Sequence, residues 1–422
     1  MSQKYLTITP RDPVIARDSR PFGAGVRMKS LEWPYPSVVA GSIRTAIGSM
    51  IDNGTFKDDT VKNLKKIRIS GPFPVVENRL YFPAPQDLLI DGTDPKTPVT
   101  YSIRPQNPGS GMQGGCDLPY PNLQPALLSS LAEHEFKPLD PAPFWSISCM
   151  EKWLANPGNI PFTAPILPKE NETIPSYLLP YPKKESRIHV QIDPKLGSAA
   201  DGMLYETIGL DFSRKGEREP VRISTRLETE DGGIFDEVVS RVNGIHTFGG
   251  ERRVAAMECG SDAPNGWKCP EAVKTALNKK TKVRMVLATP AYFSQGWLPS
   301  WIDGATLKGK LTCDPSLPDP IELTLVSACV ARWKPVSGWN MEKDGPHKTG
   351  PKPLRRLVPA GSVYFFECQN AGDAQRLAEK CWLRSVSDEL EDTHERSDGF
   401  GLALWGAWDY ERNNTISEKK EV

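Results

Sequence analysis

The sequence predicts an α+β protein with two ferredoxin-like domains and a proline-rich insertion. A strand–helix–strand–strand order of patterns opens the chain, and a second strand–helix–strand order closes it. Between them, proline is too frequent for long helices or central strands. A chain of 422 residues also exceeds one hydrophobic core. We therefore expect domains at 1–215 and 216–422, with the insertion at about 83–183 inside the first.

The first domain starts with four patterned segments. They are a strand, a helix and two strands, near residues 5–10, 37–51, 66–76 and 79–85. Pro36 and Ser37 stand where the helix should begin, and both residue types are favoured at helix N-termini. Glu77 and Asn78 supply the turn between the two strands. This order predicts the front of a ferredoxin-like βαββαβ unit.

The insertion is expected to hold irregular loops and short helices, one of them at 144–155. Its aromatic residues Phe144, Trp145 and Trp153 favour packing against the rest of the protein, because large rings gain most from burial. The insertion is therefore predicted to be a packed part of the molecule.

Strand patterns resume after the insertion. Strands are predicted near 187–193, 204–210, 221–227, 282–293, 321–332, 362–368 and 402–410, with a helix near 371–385. The helix carries Ala374, Leu377, Ala378 and Cys381 on one face, at the spacing of a buried stripe. The last strands and this helix predict a second ferredoxin-like unit, with a glycine-rich loop at 399–406.

The formal net charge is zero, but charge is unevenly distributed. Basic residues dominate Lys274–Lys310 and Arg332–Arg356, whereas acidic residues concentrate in 388–398. This pattern fits a protein that binds a polyanion on one face and other proteins elsewhere. For any single basic run, an ordinary solvated face is the alternative.

Neither the apolar residues nor the cysteines indicate a membrane or metal protein. The chain has no long apolar run, and its N-terminus lacks the regions of a signal peptide, so we expect a cytoplasmic protein without membrane contact. None of the 8 cysteines shows C-x-x-C or zinc-site spacing. In a reducing compartment we expect them to be small apolar fillers, with no metal or cofactor.

Several residue sets have the chemistry of RNA recognition, which needs cations for phosphates, aromatic rings for stacking and amides for base edges. Glycines beside the cations let backbone N–H groups approach a phosphate. For each glycine pair alone, a tight turn is the alternative. The candidate RNA-binding residues are Arg17, Arg20, Arg44, Arg187, His189, Gln191, Tyr205, Arg252, Arg253, Lys352, Arg355, Arg356, Gly399, Phe400 and Gly401.

Ribonuclease chemistry is a weaker interpretation. His189 or His246 could assist the attack of a 2′-hydroxyl on the adjacent phosphate, but no second acid or base stands at a fitting position. Asp392, His394 and Asp398 carry metal-ligating groups, yet their acidic surroundings favour a solvated loop. We therefore assign no catalytic and no metal-binding residue.

An ordered series of motifs resembles one family along nearly the whole chain. The motifs are RDSRPFGAGVR with WPYPSVVAGSIRTAIG, HVQIDPKLGSAADGMLYE, FGGERR, ATPAYFSQGWLPSW, PKPLRRLVPAGSVYFFE and GFGLALWG. Together they resemble the RAMP superfamily of CRISPR proteins, and most closely the Cas5-like third subunit of the type III-B Cmr effector, which acts in antiviral defence. The similarity is weakest in the insertion.

The resemblance implies two RRM-like domains and a non-catalytic role in a multisubunit ribonucleoprotein. The implied role is to cap the 5′ tag of the crRNA, beside the large polymerase-like signalling subunit and the first backbone RAMP subunit. It also implies that Gly399, Phe400 and Gly401 form the loop that touches RNA, with Arg44, Arg252 and Arg253 as further contacts. Here that loop follows an acidic run, which leaves its partner open.

Two other functions stay open on the sequence. One is a stand-alone, metal-independent endoribonuclease that processes CRISPR transcripts through His189 or His246. The other is a purely structural subunit whose basic runs only dock partner proteins.

Overall fold

A computed structural model describes residues 2–17, 30–94, 97–106, 118–129, 132, 134–157, 165–168, 173–213, 219–229, 234–313, 319–340, 350–389 and 394–408. Within these residues the helices are α1 (Pro36–Asp52), α2 (Asp58–Lys66), α3 (Ile147–Ala155), α4 (Ile234–Ser240), α5 (Glu271–Leu277), α6 (Ala371–Lys380) and α7 (Glu395–Asp398). The structure is thus a mixed α and β fold with more strands than helices.

The strands of the first half of the chain are β1 (Ser2–Pro10), β2 (Arg68–Val76), β3 (Arg79–Pro83), β4 (Leu88–Asp91), β5 (Val99–Pro105), β6 (Ala126–Leu128), β7 (Pro138–Leu139), β8 (Phe144–Ser146), β9 (Leu178–Leu179), β10 (Lys183–Ile192) and β11 (Ala199–Asp211). Those of the second half are β12 (Arg222–Thr229), β13 (Gly244–Thr247), β14 (Val254–Gly260), β15 (Lys282–Leu287), β16 (Ala291–Tyr292), β17 (Lys308–Leu311), β18 (Ile321–Cys329), β19 (Lys334–Val336), β20 (Trp339–Asn340), β21 (Gly350–Pro351), β22 (Arg355–Val358), β23 (Val363–Cys368) and β24 (Ala403–Ala407).

The first large sheet has the order β13-β14-β1-β12-β2-β3-β8-β9. Helices α1, α2 and α4 cover one face, where Leu6 and Ile8 of β1 join Val39 and Ile43 of α1 in one buried cluster. Tyr5 belongs to a different cluster on the other face, because successive strand residues point to opposite sides. We call this sheet and its helices the first lobe.

The four elements predicted at the start of this lobe are present, including the helix and the turn. α1 has a proline in its first turn and ends at Asn53, a left-handed C-cap with φ 48°. Glu77 and Asn78 have φ of 48° and 61°, so both adopt the positive values that a two-residue hairpin turn requires. Helix α2 was not predicted.

The strand order corrects one prediction. The sequence pattern put residues 79–85 in the third position of the unit, but β12 lies between β1 and β2, with seven registered pairs to β1 from Ser2↔Thr229 to Ile8↔Ile223. β3 instead pairs on the outer side of β2. Local patterns identify strands but do not reveal which distant strand inserts between them. The expected domain boundary at 215/216 accordingly precedes β12, β13 and β14, which belong to the first sheet.

The insertion contains more regular structure than its prolines suggest. β4 to β7 form a small sheet of order β6-β5-β4-β7, and β8 and β9 extend the first large sheet. The predicted helix at 144–155 begins at Ile147, because Phe144–Ser146 is strand β8 and Ser146 caps the helix through Cys149 N–H. Trp145 and Trp153 are fully buried, as the prediction of a packed insertion requires.

The second large sheet has the order β17-β18-β23-β15-β24, with α5 and α6 against it. Ala374, Leu377, Ala378 and Cys381 are all buried, which confirms the predicted stripe, although α6 ends at Lys380. The pattern at 282–293 is split into β15 and β16. We call this sheet and its helices the second lobe.

The two lobes share one hydrophobic core. A single buried cluster contains Phe73 and Phe82 from the first sheet together with Met285 and Phe366 from the second. Helix α3 of the insertion packs on α5 and β24 of the second lobe. The insertion therefore lies between the lobes and belongs to both.

A buried ion pair reinforces this connection. Arg284 of β15 pairs with Asp87, which follows β3, and the two side chains are 1% and 0% exposed. Trp153 Nε1 donates to the same carboxylate at 2.9 Å, and Arg284 also donates to the Trp153 carbonyl. Each charged group is thus paired and hydrogen-bonded, as burial demands.

The cysteine prediction needs one correction. Cys313 and Cys381 form a disulfide, their Cα atoms 5.7 Å apart, which is within the range for such a bond. Cys149, Cys269 and Cys368 are buried free thiols, and burial raises the pKa of Cys269 and of Cys368 to about 12. Cys116 lies outside the described residues.

In the described part of the chain, no helix combines the length and apolar character needed to cross a membrane.

Candidate RNA interface

The hairpin formed by β10 and β11 carries one of the predicted residue sets. His189 pairs with Tyr205, and Arg187 with Thr207, so these four side chains share one face of the hairpin. The His189 and Tyr205 rings are stacked, with centroids 5.1 Å apart and an angle of 16° between their planes. His189 Nε2 lies 2.8 Å from Thr207 Oγ1, which fixes the imidazole beneath the phenol ring.

The outer ring of this stack is available to a partner. Tyr205 is 41% exposed, and Arg187, beside it, is exposed and pairs with Glu185. Gln191 is also exposed, but it stands where the strand register shifts. The face therefore offers an aromatic stack next to a cation, a combination that suits an unpaired base and its phosphate.

Further predicted residues surround the base of the hairpin. Leu210 of β11 exchanges two 2.8 Å backbone hydrogen bonds with Val14. The neighbouring Ile15 accepts from Gly250 N–H at 2.8 Å, which holds the glycine turn against this segment. At Gly249 a Cβ would lie 2.8 Å from the Ile15 carbonyl oxygen, so only glycine fits there.

The glycine turn presents Arg252 and Arg253. Arg252 is exposed with φ 53°, and Arg253 is half-buried. Arg17 is exposed in the segment that the turn contacts and pairs in a backbone bridge with Ser30. Arg20 lies outside the described residues. The structure thus brings Arg17 and the FGGERR turn together at the hairpin base.

A second group of cations lies where the lobes meet. Arg44 of α1 pairs with Asp398 and donates to the carbonyl oxygens of Leu64 and Ile67, each at 3.1 Å. Arg355 pairs with the buried Glu395. Both guanidinium groups are consequently engaged inside the protein.

Lys352 is the third cation of this group, and it is half-buried. Burial lowers its pKa, and Arg355, Lys65 and Arg44 lower it further, whereas Asp398 opposes the change. Burial also lowers the pKa of Arg355 and of His394. Burial makes these positive charges costly, and a bound anion would offset that cost.

The glycine loop is a packing element in this structure. Phe400 is 1% exposed and clusters with Val336 and Leu357, so its ring has no free face for a base. Gly399 and Gly401 are buried, and Gly399 touches the β2 backbone. We therefore assign Gly399, Phe400 and Gly401 to the joint between the lobes rather than to an exposed surface.

Arg356 is the exposed member of the basic turn. Its guanidinium lies 4.8 Å from the ring centre of Trp333, which is not among the residues predicted from sequence to bind RNA. In the sequence Trp333 stands between Arg332 and Lys334, so an aromatic residue is flanked by two cations.

Neither histidine proposed as a catalytic base has an acidic partner among the described contacts. His246 Nε2 donates to the Val242 carbonyl at 2.9 Å, and His189 contacts Thr207 and Tyr205. Over the described ranges, no three metal-ligating side chains converge, and Asp392 falls outside them.

The chain resembles solved type III effector proteins at low identity. A chain of the type III-B Cmr-beta complex, solved by cryo-EM with cognate target RNA, is 14% identical with a TM-score of 0.45, and 86% of each chain is covered. A chain of a Csm3–Csm4 subcomplex of the type III-A interference complex is 11% identical with a TM-score of 0.36, covering 96% of this chain and 100% of that one. No curated protein matches significantly.

A family comparison gives the identification. The model of the family described as CRISPR-associated protein (Cas_Cmr3) matches residues 6–408, which is nearly the whole chain. The resemblance to the Cas5-like third subunit of the Cmr effector is thereby confirmed. The chain belongs to the Cmr3 family of CRISPR-associated proteins, subunits of type III CRISPR effectors.

Proposed function

We propose that this protein is a non-catalytic, crRNA-binding subunit of a type III-B effector in the cytoplasm. It caps the 5′ tag of the crRNA and joins the large polymerase-like signalling subunit to the first backbone RAMP subunit. Family membership supports the assignment to the effector. The observation that carries the RNA-binding role is the His189–Tyr205 stack beside Arg187 on an exposed hairpin.

The proposed architecture is two ferredoxin-like lobes. In the first lobe β14-β1-β12-β2 are antiparallel neighbours, with α1 between β1 and β2 and α4 between β12 and β14. In the second, β24-β15-β23-β18 repeat that order, with α6 between β23 and β24. Both arrangements support a βαββαβ plan. The second lobe departs from it in one respect: its first helix, α5, comes before the first strand β15, whereas the plan has that helix after the first strand.

The hairpin face suits single-stranded RNA for a chemical reason. Every base has a π-face, so an exposed ring stack binds unpaired nucleotides with little sequence preference, at about 1–3 kcal/mol per stacked base. Arg187, Arg17 and Arg252 add cations around the same hairpin for phosphates. A hairpin that carries both groups is suited to hold the end of a guide RNA.

The test uses the assembled effector with the double variant Arg187→Glu/Tyr205→Ala. We expect less crRNA in the purified complex and a weaker photocrosslink from the crRNA 5′ end to this chain. The loss should grow with salt in the washes, since each phosphate contact contributes about 0.7 to the salt slope on single strands.

Arg241→Glu, which makes the same charge change at an exposed position after α4, is the control and should leave crRNA retention unchanged. An unaltered 5′-end crosslink in the double variant would contradict the proposal. Defined cleavage of repeat RNA by the isolated protein, abolished by His189→Ala, would instead favour the endoribonuclease.

A further inference from the structure

We propose that Trp333, Arg356 and Trp339 form a second stacking platform, on the second lobe, that takes unpaired bases of single-stranded RNA. The inference rests on the proposed RNA-binding function and adds a separate site to it. It concerns the long hairpin made by 333–340 and 350–358, here called the tryptophan hairpin.

The tryptophan hairpin has an inner and an outer face. Lys334↔Leu357, Pro335↔Arg356 and Val336↔Arg355 are paired, so Leu357, Val336 and Arg355 point inward and Pro335 and Arg356 outward. Val336 and Leu357 pack against Phe400. Burial of the inner face fixes the hairpin to the lobe and holds the outer side chains in a defined orientation.

Two large rings of the tryptophan hairpin are exposed to solvent. Trp333 is 45% exposed and Trp339 is 60% exposed. The Arg356 guanidinium lies over one face of the Trp333 ring at 4.8 Å from its centre, which orients the indole and leaves the opposite face for a base. Such rings are costly in water unless a partner covers them.

Charge decides what that partner is. Over 332–340 and 350–358 the charged residues are Arg332, Lys334, Lys352, Arg355 and Arg356, all of them basic. Arg355 is paired with Glu395 on the inner side, whereas Arg332, Lys334 and Arg356 are exposed and carry the positive charge that a partner would meet. Two exposed indoles among cations match bases and phosphates, whereas a purely apolar protein contact would not call for the cations.

Single strands fit better than duplex, because only unpaired bases expose their faces to an indole. The His189–Tyr205 stack and the tryptophan hairpin belong to different small sheets, β10-β11 and β16-β22-β19. The platform is therefore a site separate from the β10–β11 hairpin.

The test measures binding of a short, labelled oligouridine to the full chain by fluorescence anisotropy. Trp333→Ala should weaken binding on the order of tenfold, and Trp333→Phe, which keeps a ring, should recover most of the affinity. A duplex of the same length should lose little on either change. Urea unfolding should show that these surface variants remain folded.

Leu354→Ala is the control, since Leu354 is 62% exposed on the same hairpin but has no ring. Equal oligouridine affinity for wild type and Trp333→Ala would overturn the platform. So would a loss with Leu354→Ala as large as that with Trp333→Ala, which would show that the effect does not depend on an aromatic ring. If Tyr205→Ala weakens oligouridine binding and Trp333→Ala does not, the platform is refuted while the proposed function stands. If the wild-type chain binds no oligouridine and the assembled effector holds no crRNA, both proposals are refuted.

Discussion

Gly399 stands where the second lobe touches the first, with a backbone φ of 95°. A Cβ at this position would lie 2.6 Å from the Ile69 carbonyl oxygen and 2.7 Å from that of Gly71. Gly399→Ala is expected to lower the free energy of unfolding by more than about 1 kcal/mol, because the backbone is strained and the β2 strand must move. Urea unfolding measures the effect.

Gly41 provides the matched control for this change. It lies on α1, and a Cβ there would meet nothing within 4 Å. Gly41→Ala should stabilise the protein by about 0.5–1 kcal/mol, since alanine is the better helix former. A Gly399→Ala variant as stable as wild type would show that the loop is free to shift away from β2.

His394 gives the joint between the lobes a pH dependence. Burial lowers its pKa from the ordinary 6.5, and Lys65, Arg44 and Lys352 add to this while Asp398 opposes it. The unfolded chain therefore takes up a proton at a higher pH than the folded protein. The stabilisation from neutral His394 is complete above about pH 6.5 and declines as the pH falls below that value.

The measurement compares urea midpoints at about pH 7.5 and about pH 5.5 in wild type and His394→Gln. We expect the midpoint of wild type to fall more than that of the variant. Equal decreases of the urea midpoint in wild type and variant would show that groups other than His394 cause the acid sensitivity.

Elements with strong local patterns were predictable from sequence. α1, the Glu77–Asn78 turn and the buried stripe of α6 follow from periodicity and turn chemistry, and the structure confirms them. The place of β12 between β1 and β2 was not predictable, because strand partners separated by the insertion leave no local signal. At the candidate site the same limit applied, since sequence does not tell exposed Arg356 from buried Arg355.

The hairpin of β10 and β11 is expected to contribute little to stability. Its apolar side chains Ile188, Val190 and Leu204 are exposed, so the folded chain gains little from burying them. Removing 188–206 and joining Arg187 to Thr207 through Asn-Gly should change the free energy of unfolding by less than about 1 kcal/mol. The shortened protein should lose crRNA retention in the assembled effector.

Thermal unfolding and crRNA content of the shortened variant test the two halves of this prediction. A large loss of stability would mean that the hairpin of β10 and β11 supports the fold. An unchanged crRNA content would mean that this hairpin does not bind the crRNA.

At the scale of the whole molecule, the shared core predicts one unfolding transition. Phe73→Ala in the first sheet and Phe366→Ala in the second should each destabilise the protein by about 3–5 kcal/mol, because both side chains are buried in the same cluster. Scanning calorimetry should show a single peak in wild type and in both variants. Two resolved peaks, only one of which moves with each substitution, would show that the lobes fold independently.

The buried ion pair of Asp87 and Arg284 predicts how these two positions vary among homologous proteins. One residue belongs to the segment after β3 and the other to β15, yet neither charge reaches solvent. Loss of either partner alone costs about 3–5 kcal/mol, a large share of the stability of most proteins. Among homologous chains the two residues should therefore be either retained together or replaced together by apolar residues. An alignment in which the two positions vary independently would refute this prediction.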